Sequence, residues 1–200
     1  MDRALLEFWE GRWRSGHTPW DHGEPAPPFR EFVERFGAPE GRLLLPGAGR
    51  GHDARFFAEH GAEVIALDIA PSAVKEAEAA NPHPRTVYRV GDILALEEDL
   101  HGSFDWVAEH TCLCAMDPAF WEAYARSVRE ALRPGGHFLG IFYIEPHDDE
   151  GPPHKIEPAT IDSLFADGFR LAGSFRPSRA YESRIGREEV RWYRREPVRP

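Results

Sequence analysis

The stretch "LLLPGAGRGHD", residues 43–53, constrains this chain more than any other. A run of leucines enters three glycines at alternate positions, Gly47, Gly49 and Gly51. A strand that turns sharply into a helix uses backbone this bare, because glycine adopts angles closed to other residues and lets the chain approach a ligand closely. The rest of the chain repeats the alternation. "AEVIALD" (62–68), "RTVYRVGD" (85–92), "FDWVAEH" (104–110) and "HFLGIFYI" (137–144) read as strands. "HDARFFAEHG", "APSAVKEAEAAN" and "PAFWEAYARSVREALRPGG" read as the helices between them, the last stopped by Pro134 and two glycines.

One more helix, "PATIDSLFADG", precedes "FRLAGSFRP" and "REEVRWYRRE", which alternate polar and apolar as an antiparallel pair does. The pattern predicts an α/β, doubly wound, Rossmann-like fold with a mostly parallel seven-stranded sheet and an antiparallel C-terminal strand. Two helices stand before it. Residues 2–13 carry Leu5, Phe8, Trp9 and Trp13 along one side, and residues 27–36 carry Phe29, Phe32, Val33 and Phe36 at helical spacing. The expected organisation is a single domain over 1–200, with 1–38 as a helical cap and 39–200 as the core.

Composition narrows the partners. The net charge of −10 repels phosphate backbones, so the expected partner is a small molecule and not nucleic acid. No apolar run approaches the roughly 20 residues of a membrane span, and the charged N-terminal segment does not read as a signal peptide. A cytoplasmic location is expected, as monomer or homodimer. Cys112 and Cys114 are too close for an unstrained disulfide, and no second pair or HExxH spacing completes a metal site. They are expected to be buried thiols, with no metal. Lys occurs only at 75 and 155, Gln is absent and Asn occurs once, at 81. Few amides fit a heat-adapted source, while a GC-rich genome alone also favours Arg over Lys.

Ligands of such sheets sit beyond the C-terminal ends of the strands. Asp68 closes the second strand, 68 − 47 = 21 residues after the first glycine, where an acid accepts from two ribose hydroxyls. Asp92 closes the third strand, where a carboxylate accepts from an adenine amino group and Ile93 packs on the ring. The bland readings are a ligand-free turn, a helix cap at Asp68 and a turn residue at Asp92. The glycine pattern is GxGxG and not the GxGxxG dinucleotide fingerprint, since position 52 is His.

With these two acids the turn resembles that of class I methyltransferases that use S-adenosyl-L-methionine (SAM) and release S-adenosyl-L-homocysteine. The segments "FWEGRWRSGHTPWD", "LLPGAGRGHD", "LDIAPSAV", "SFDWVAEHTCLCAMDP" and "DDEGPPHKI" are similar, in this order, to the thiopurine S-methyltransferase family, closest to its halide and thiol methyltransferase branch. The resemblance implies methyl transfer to a small soft nucleophile: a thiol, hydrosulfide or halide. It implies cofactor contacts at Gly47, Ala48, Gly49, Asp68, Ile69, Asp92, Ile93 and Glu109, the last facing the methionine ammonium. Trp9, Trp13 and Trp20 match aromatic positions of the closing cap; Trp9 and Trp13 also read as the core face of the first helix.

The chain departs from the family after the fourth strand, where Glu109-His110 and "TCLCA" stand for the plant branch's "DY" and "FFCA", and in the following respects. Ala48 stands where a Cys is usual, "GPPH" replaces "GPPY" and brings His154, and His110 stands where thiopurine members carry Arg. His110 is the candidate catalytic residue, as a base or an acceptor contact, with His154 the other candidate base. A SAM-binding protein without catalysis and a nicotinamide oxidoreductase are the alternative functions.

Overall fold

The computed structural model describes residues 3–146 and 151–197 of the chain. Helix α1 spans Arg3–Arg14 and α2 spans Pro27–Phe36. The core then alternates β1 (Arg42–Pro46), α3 (His52–Glu59), β2 (Glu63–Asp68), α4 (Pro71–Ala80), β3 (Thr86–Val90), β4 (Phe104–His110), α5 (Trp121–Ala131), β5 (Leu132–Tyr143), α6 (Pro158–Leu164), β6 (Phe169–Phe175) and β7 (Glu188–Arg195). Pro27, Pro71 and Pro158 stand at helix starts, where their fixed φ suits the first turn and the missing N–H costs nothing.

The seven strands lie in the order β3-β2-β1-β4-β5-β7-β6. The first five are parallel, and β7 runs antiparallel to both β5 and β6. This is the expected sheet. The leucine run of β1 is continuous because both faces are covered: Leu44 packs into the cluster around Phe138 and Tyr124, Leu43 and Leu45 into the one around Phe29 and Phe57. Along β5, Phe138 and Phe142 join the first cluster while Leu139 and Ile141 join the second, as the period of two requires.

The junction of α5 and β5 differs from the sequence reading. α5 ends at Ala131, and Leu132 already pairs with Phe104 of β4. Arg133 precedes Pro134, whose ring disfavours helical angles in the residue before it, so the helix stops ahead of the glycines. Helix α1 lies against α4 and not in the sheet core. Its Glu10 carboxylate accepts from the Ser72 backbone N–H (3.0 Å) and from Ser72 Oγ (2.7 Å), satisfying a free donor in the first turn of α4. Among the described residues no helix is long and apolar enough to cross a membrane.

Candidate active site

The C-terminal ends of β1, β2 and β4, with the segment after β3, open into a cavity of about 320 Å³. Gly47 and Gly49 form its floor. Both lie in the left-handed region, at φ 63° and 53°. A Cβ on Gly47 would stand 3.0 Å from Cys112 Cβ and Sγ, so the turn has no room for a side chain there. Ala48 points the other way, onto the core cluster beneath the turn, and does not line the cavity. Its N–H donates to the Leu67 carbonyl at 2.9 Å, tying the turn to β2.

Asp68, Ile69, Asp92 and Ile93 line one wall. Asp68 Oδ2 accepts from the Gly49 N–H (2.9 Å) and Oδ1 from the Ala70 N–H (2.9 Å). Burial pushes its carboxyl up to about 6 against those hydrogen bonds. Asp92 Oδ1 accepts from the Leu94 N–H at 2.9 Å, capping the 3-10 turn Ile93–Ala95. The bland cap reading is therefore also present at both acids, on carboxylates that face the cavity.

Trp9, Trp13 and Trp20 form the opposite wall. Trp20 meets Trp9 edge-to-face at 5.3 Å and Trp13 at 6.1 Å. Trp13 is buried, and Gly49 lies beneath its ring edge. The cap is fastened to the glycine turn by ion pairs. Asp21 pairs with Arg50, and its other oxygen lies 3.1 Å from His52 Nε2. Arg50 also reaches Glu76 of α4 at 2.8 Å and stacks its guanidinium 5.5 Å from the Trp13 ring. "TPWD" thus places an indole in the cavity and an anchoring carboxylate behind it.

Besides Ala48, three expected residues sit behind the cavity and not on it. Glu109 is buried, and its Oε2 accepts from the Cys112 (3.1 Å) and Leu113 (3.0 Å) N–H groups, so its carboxylate shapes the turn after β4. Burial raises it to about 7. The His110 ring is held between carboxylates: Nδ1 is 3.5 Å from Asp53 Oδ2 and Nε2 is 3.7 Å from Glu188 Oε1. Burial disfavours its charge, but the two carboxylates outweigh burial and lift it to about 9, so it is an imidazolium at pH 7. An imidazolium has no lone pair to take a proton. His154 folds over Gly151, and its N–H donates to the Cys114 carbonyl at 2.6 Å. The acidic residues 148–150 of "DDEGPPHKI" lie outside the described residues, while Pro152 and Pro153 line the cavity.

The structure adds residues that the sequence reading did not select. Thr111 lines the cavity and, among the described residues, is the one non-glycine with positive φ, 64°. A β-branched residue in that conformation marks a constrained turn. Cys112 and Cys114 are buried thiols as expected, and both also face the cavity. Burial pushes Cys114 up to about 12 and Cys112 well above its ordinary value, so neither is a thiolate nucleophile. His22, Tyr143 and Arg184 also line the cavity. No motif points to Arg184, which lies in an arginine-rich tail, while His22 directly follows "TPWD".

Sheet order and cavity position are those of the class I SAM-dependent methyltransferase fold. A solved 1,6-didemethyltoxoflavin-N1-methyltransferase of Burkholderia thailandensis shares the fold, with a TM-score of 0.72 at 22% identity over 96% of this chain and 88% of the other. The family comes from the sequence comparison: the thiopurine S-methyltransferase (TPMT) profile matches residues 4–198, and the chain belongs to that family. Thiocyanate methyltransferase 1 of Brassica oleracea is 33% identical over 92% of this chain and 83% of its own length. A thiopurine S-methyltransferase of Bordetella pertussis is 25% identical over 80% and 81%. The protein is thus a SAM-dependent methyltransferase acting on a small nucleophile.

Proposed function

We propose that this enzyme methylates a small soft nucleophile, a thiol, hydrosulfide or halide, within the cavity at the strand ends. One observation carries the reading: a glycine turn, two strand-end carboxylates and three indoles meet around a single cavity. Their chemistry suits SAM. Carboxylates accept from ribose and adenine donors, bare glycine backbone admits the methionine end, and indole faces stabilise a cation by about 0.5–2 kcal/mol. Gly47, Gly49, Asp68, Ile69, Asp92 and Ile93 hold the cofactor, and residues 1–38 close over it with Trp9, Trp13 and Trp20. Ala48 and Glu109 act from below, by packing and by shaping the turn that carries Thr111 and Cys112.

When bound, SAM supplies an already activated methyl. The protein's work is then alignment and exclusion of water. The apolar wall of Cys112, Cys114, Met116 and Tyr143 does this for a polarisable acceptor. The names of the relatives support that class, including thiocyanate methyltransferase. The partner is a small-molecule acceptor, without nucleic acid or membrane. Calorimetry should detect SAM binding and none of NADH, and S-adenosylhomocysteine release should depend on added iodide, hydrosulfide or alkyl thiol. SAM binding without release on any of the three would refute the acceptor class.

A further inference from the structure

The acceptor half of the cavity holds a guanidinium and an imidazole of opposite proton habits. We propose that Arg184 is the cation that binds the acceptor's anionic form and that His22 is the base that takes the proton from a neutral thiol. The buried chain Asp53–His110–Glu188 positions Arg184. This rests on the methyl-transfer reading of the same cavity.

Arg184 ends the 3-10 turn Glu182–Arg184 and is only 7% exposed, yet lines the cavity. Its guanidinium lies 4.7 Å from the Tyr143 ring centroid, and Nη1 donates to Glu188 Oε1 at 3.0 Å. The Glu188 side chain is fully buried and shares that oxygen with His110, which in turn faces Asp53. Asp53 is itself fixed, accepting from the Ala26 N–H at 2.7 Å. Four elements therefore lock the guanidinium in place. The charges of Asp53, His110, Glu188 and Arg184 sum to zero only while His110 is protonated. Without that proton an incoming anion would meet a net negative cluster.

His22 lines the same cavity from the cap loop. Its ring stacks on Tyr181 at 3.8 Å with planes 20° apart, and Tyr181 Oη donates to the Glu24 carbonyl at 2.9 Å, which fixes the stack. The charged and titratable groups facing it are Tyr181, Arg184, His110, Asp21 and Glu188. Burial first, then the cations Arg184 and His110, hold its pKa below the ordinary histidine value, against Asp21 and Glu188. His22 is neutral at pH 7 where His110 is not. Its exposed edge gives the proton a route to water.

For a thiol, the S–H proton passes to His22 while a sulfur lone pair forms the new S–CH₃ bond. The methyl–sulfonium bond breaks, and its electron pair stays on the departing sulfur as a neutral thioether. The imidazolium then releases its proton to water. A halide follows the same course without the proton, so the two acceptors separate the roles.

The test measures kcat and KM for 2-mercaptoethanol and for iodide at pH 7, with SAM affinity followed by calorimetry for every variant. His22→Asn should lower the thiol-to-iodide ratio of kcat/KM by about 100-fold. The ratio should recover towards pH 9, where an alkyl thiol ionises unaided. Arg184→Met should raise KM for both acceptors about tenfold or more with SAM affinity within about twofold, Arg184→Lys should recover part, and His110→Asn should raise KM in the same way. An unchanged ratio in His22→Asn overturns the base. Unchanged KM in Arg184→Met, or wild-type transfer to the thiol alone, overturns the anion site. A wild type that binds SAM and methylates neither acceptor overturns this proposal while leaving the cofactor reading standing. Failure to bind SAM overturns the methyl-transfer reading itself.

Discussion

Glu109→Gln offers a clean test of the electrostatics beneath the cavity. A single oxygen of Glu109 accepts both the Cys112 and Leu113 N–H bonds, so glutamine can keep both through its one carbonyl oxygen. What it removes is the ionisation. The buried carboxyl rises from 4.5 to about 7 in the folded protein. A carboxyl whose folded pKa exceeds its unfolded value stabilises the fold fully below the unfolded value and loses that stabilisation as pH rises through the folded one. At about 1.4 kcal/mol per pH unit the loss comes to about 3 kcal/mol above pH 8, most of it between pH 5 and 8. The contributions of His110 and Asp68 to the pH dependence are common to wild type and variant and cancel in the comparison. Urea unfolding at pH 5 and pH 8 should show wild type losing roughly 2–3 kcal/mol more than Glu109→Gln. Parallel stability profiles would refute the buried, uncompensated carboxyl. Since Glu109 is not on the cavity wall, SAM affinity of the variant should stay within about threefold; a tenfold loss or more would restore the ammonium contact that the family resemblance implies.

Trp20→Ala should weaken SAM binding about tenfold by calorimetry, since the indole walls the cavity and its loss removes a cation–π face. Arg50→Met leaves Asp21, whose side chain is 6% exposed, with the His52 ring as its remaining side-chain hydrogen-bond partner; it should cost about 1–3 kcal/mol in urea unfolding and loosen the cap, seen as faster amide exchange around Trp20. Gly47→Ala should cost about 1–2 kcal/mol from the left-handed backbone alone, more from the contact with Cys112, and should weaken SAM binding. His110→Asn should destabilise by about 3–5 kcal/mol at pH 7, because it strips the cation from between two carboxylates. A histidine with a raised folded pKa stabilises fully below about 6.5 and loses that contribution as pH rises through about 9, so the gap between wild type and variant should narrow by pH 10.

The fold was legible because its signals are local. Leu43–Leu45 must be covered on both faces, prolines open three helices, and the terminal pair alternates, so sheet order follows from a few packing rules. The strand-end wall of the cavity was legible for a similar reason: Gly47, Asp68 and Asp92 close three consecutive strands, and strand ends share one sheet edge. The rest of the cavity lining was not. It is assembled from a cap loop, a turn after β4 and a turn before β7, so His22, Thr111 and Arg184 are remote in sequence and carry no spacing. His110 shows the physical limit most sharply. It ends a strand at the expected edge, which suggests a base, but its chemistry depends on Asp53 and Glu188, 57 and 78 residues away (110 − 53 and 188 − 110). Those carboxylates hold the proton that a base would have to lack. His110 is kept cationic by its neighbours, with the Arg184 guanidinium 3.4 Å from its ring. Its protonation is set by carboxylates from α3 and β7, which a position-by-position reading of the motif cannot see.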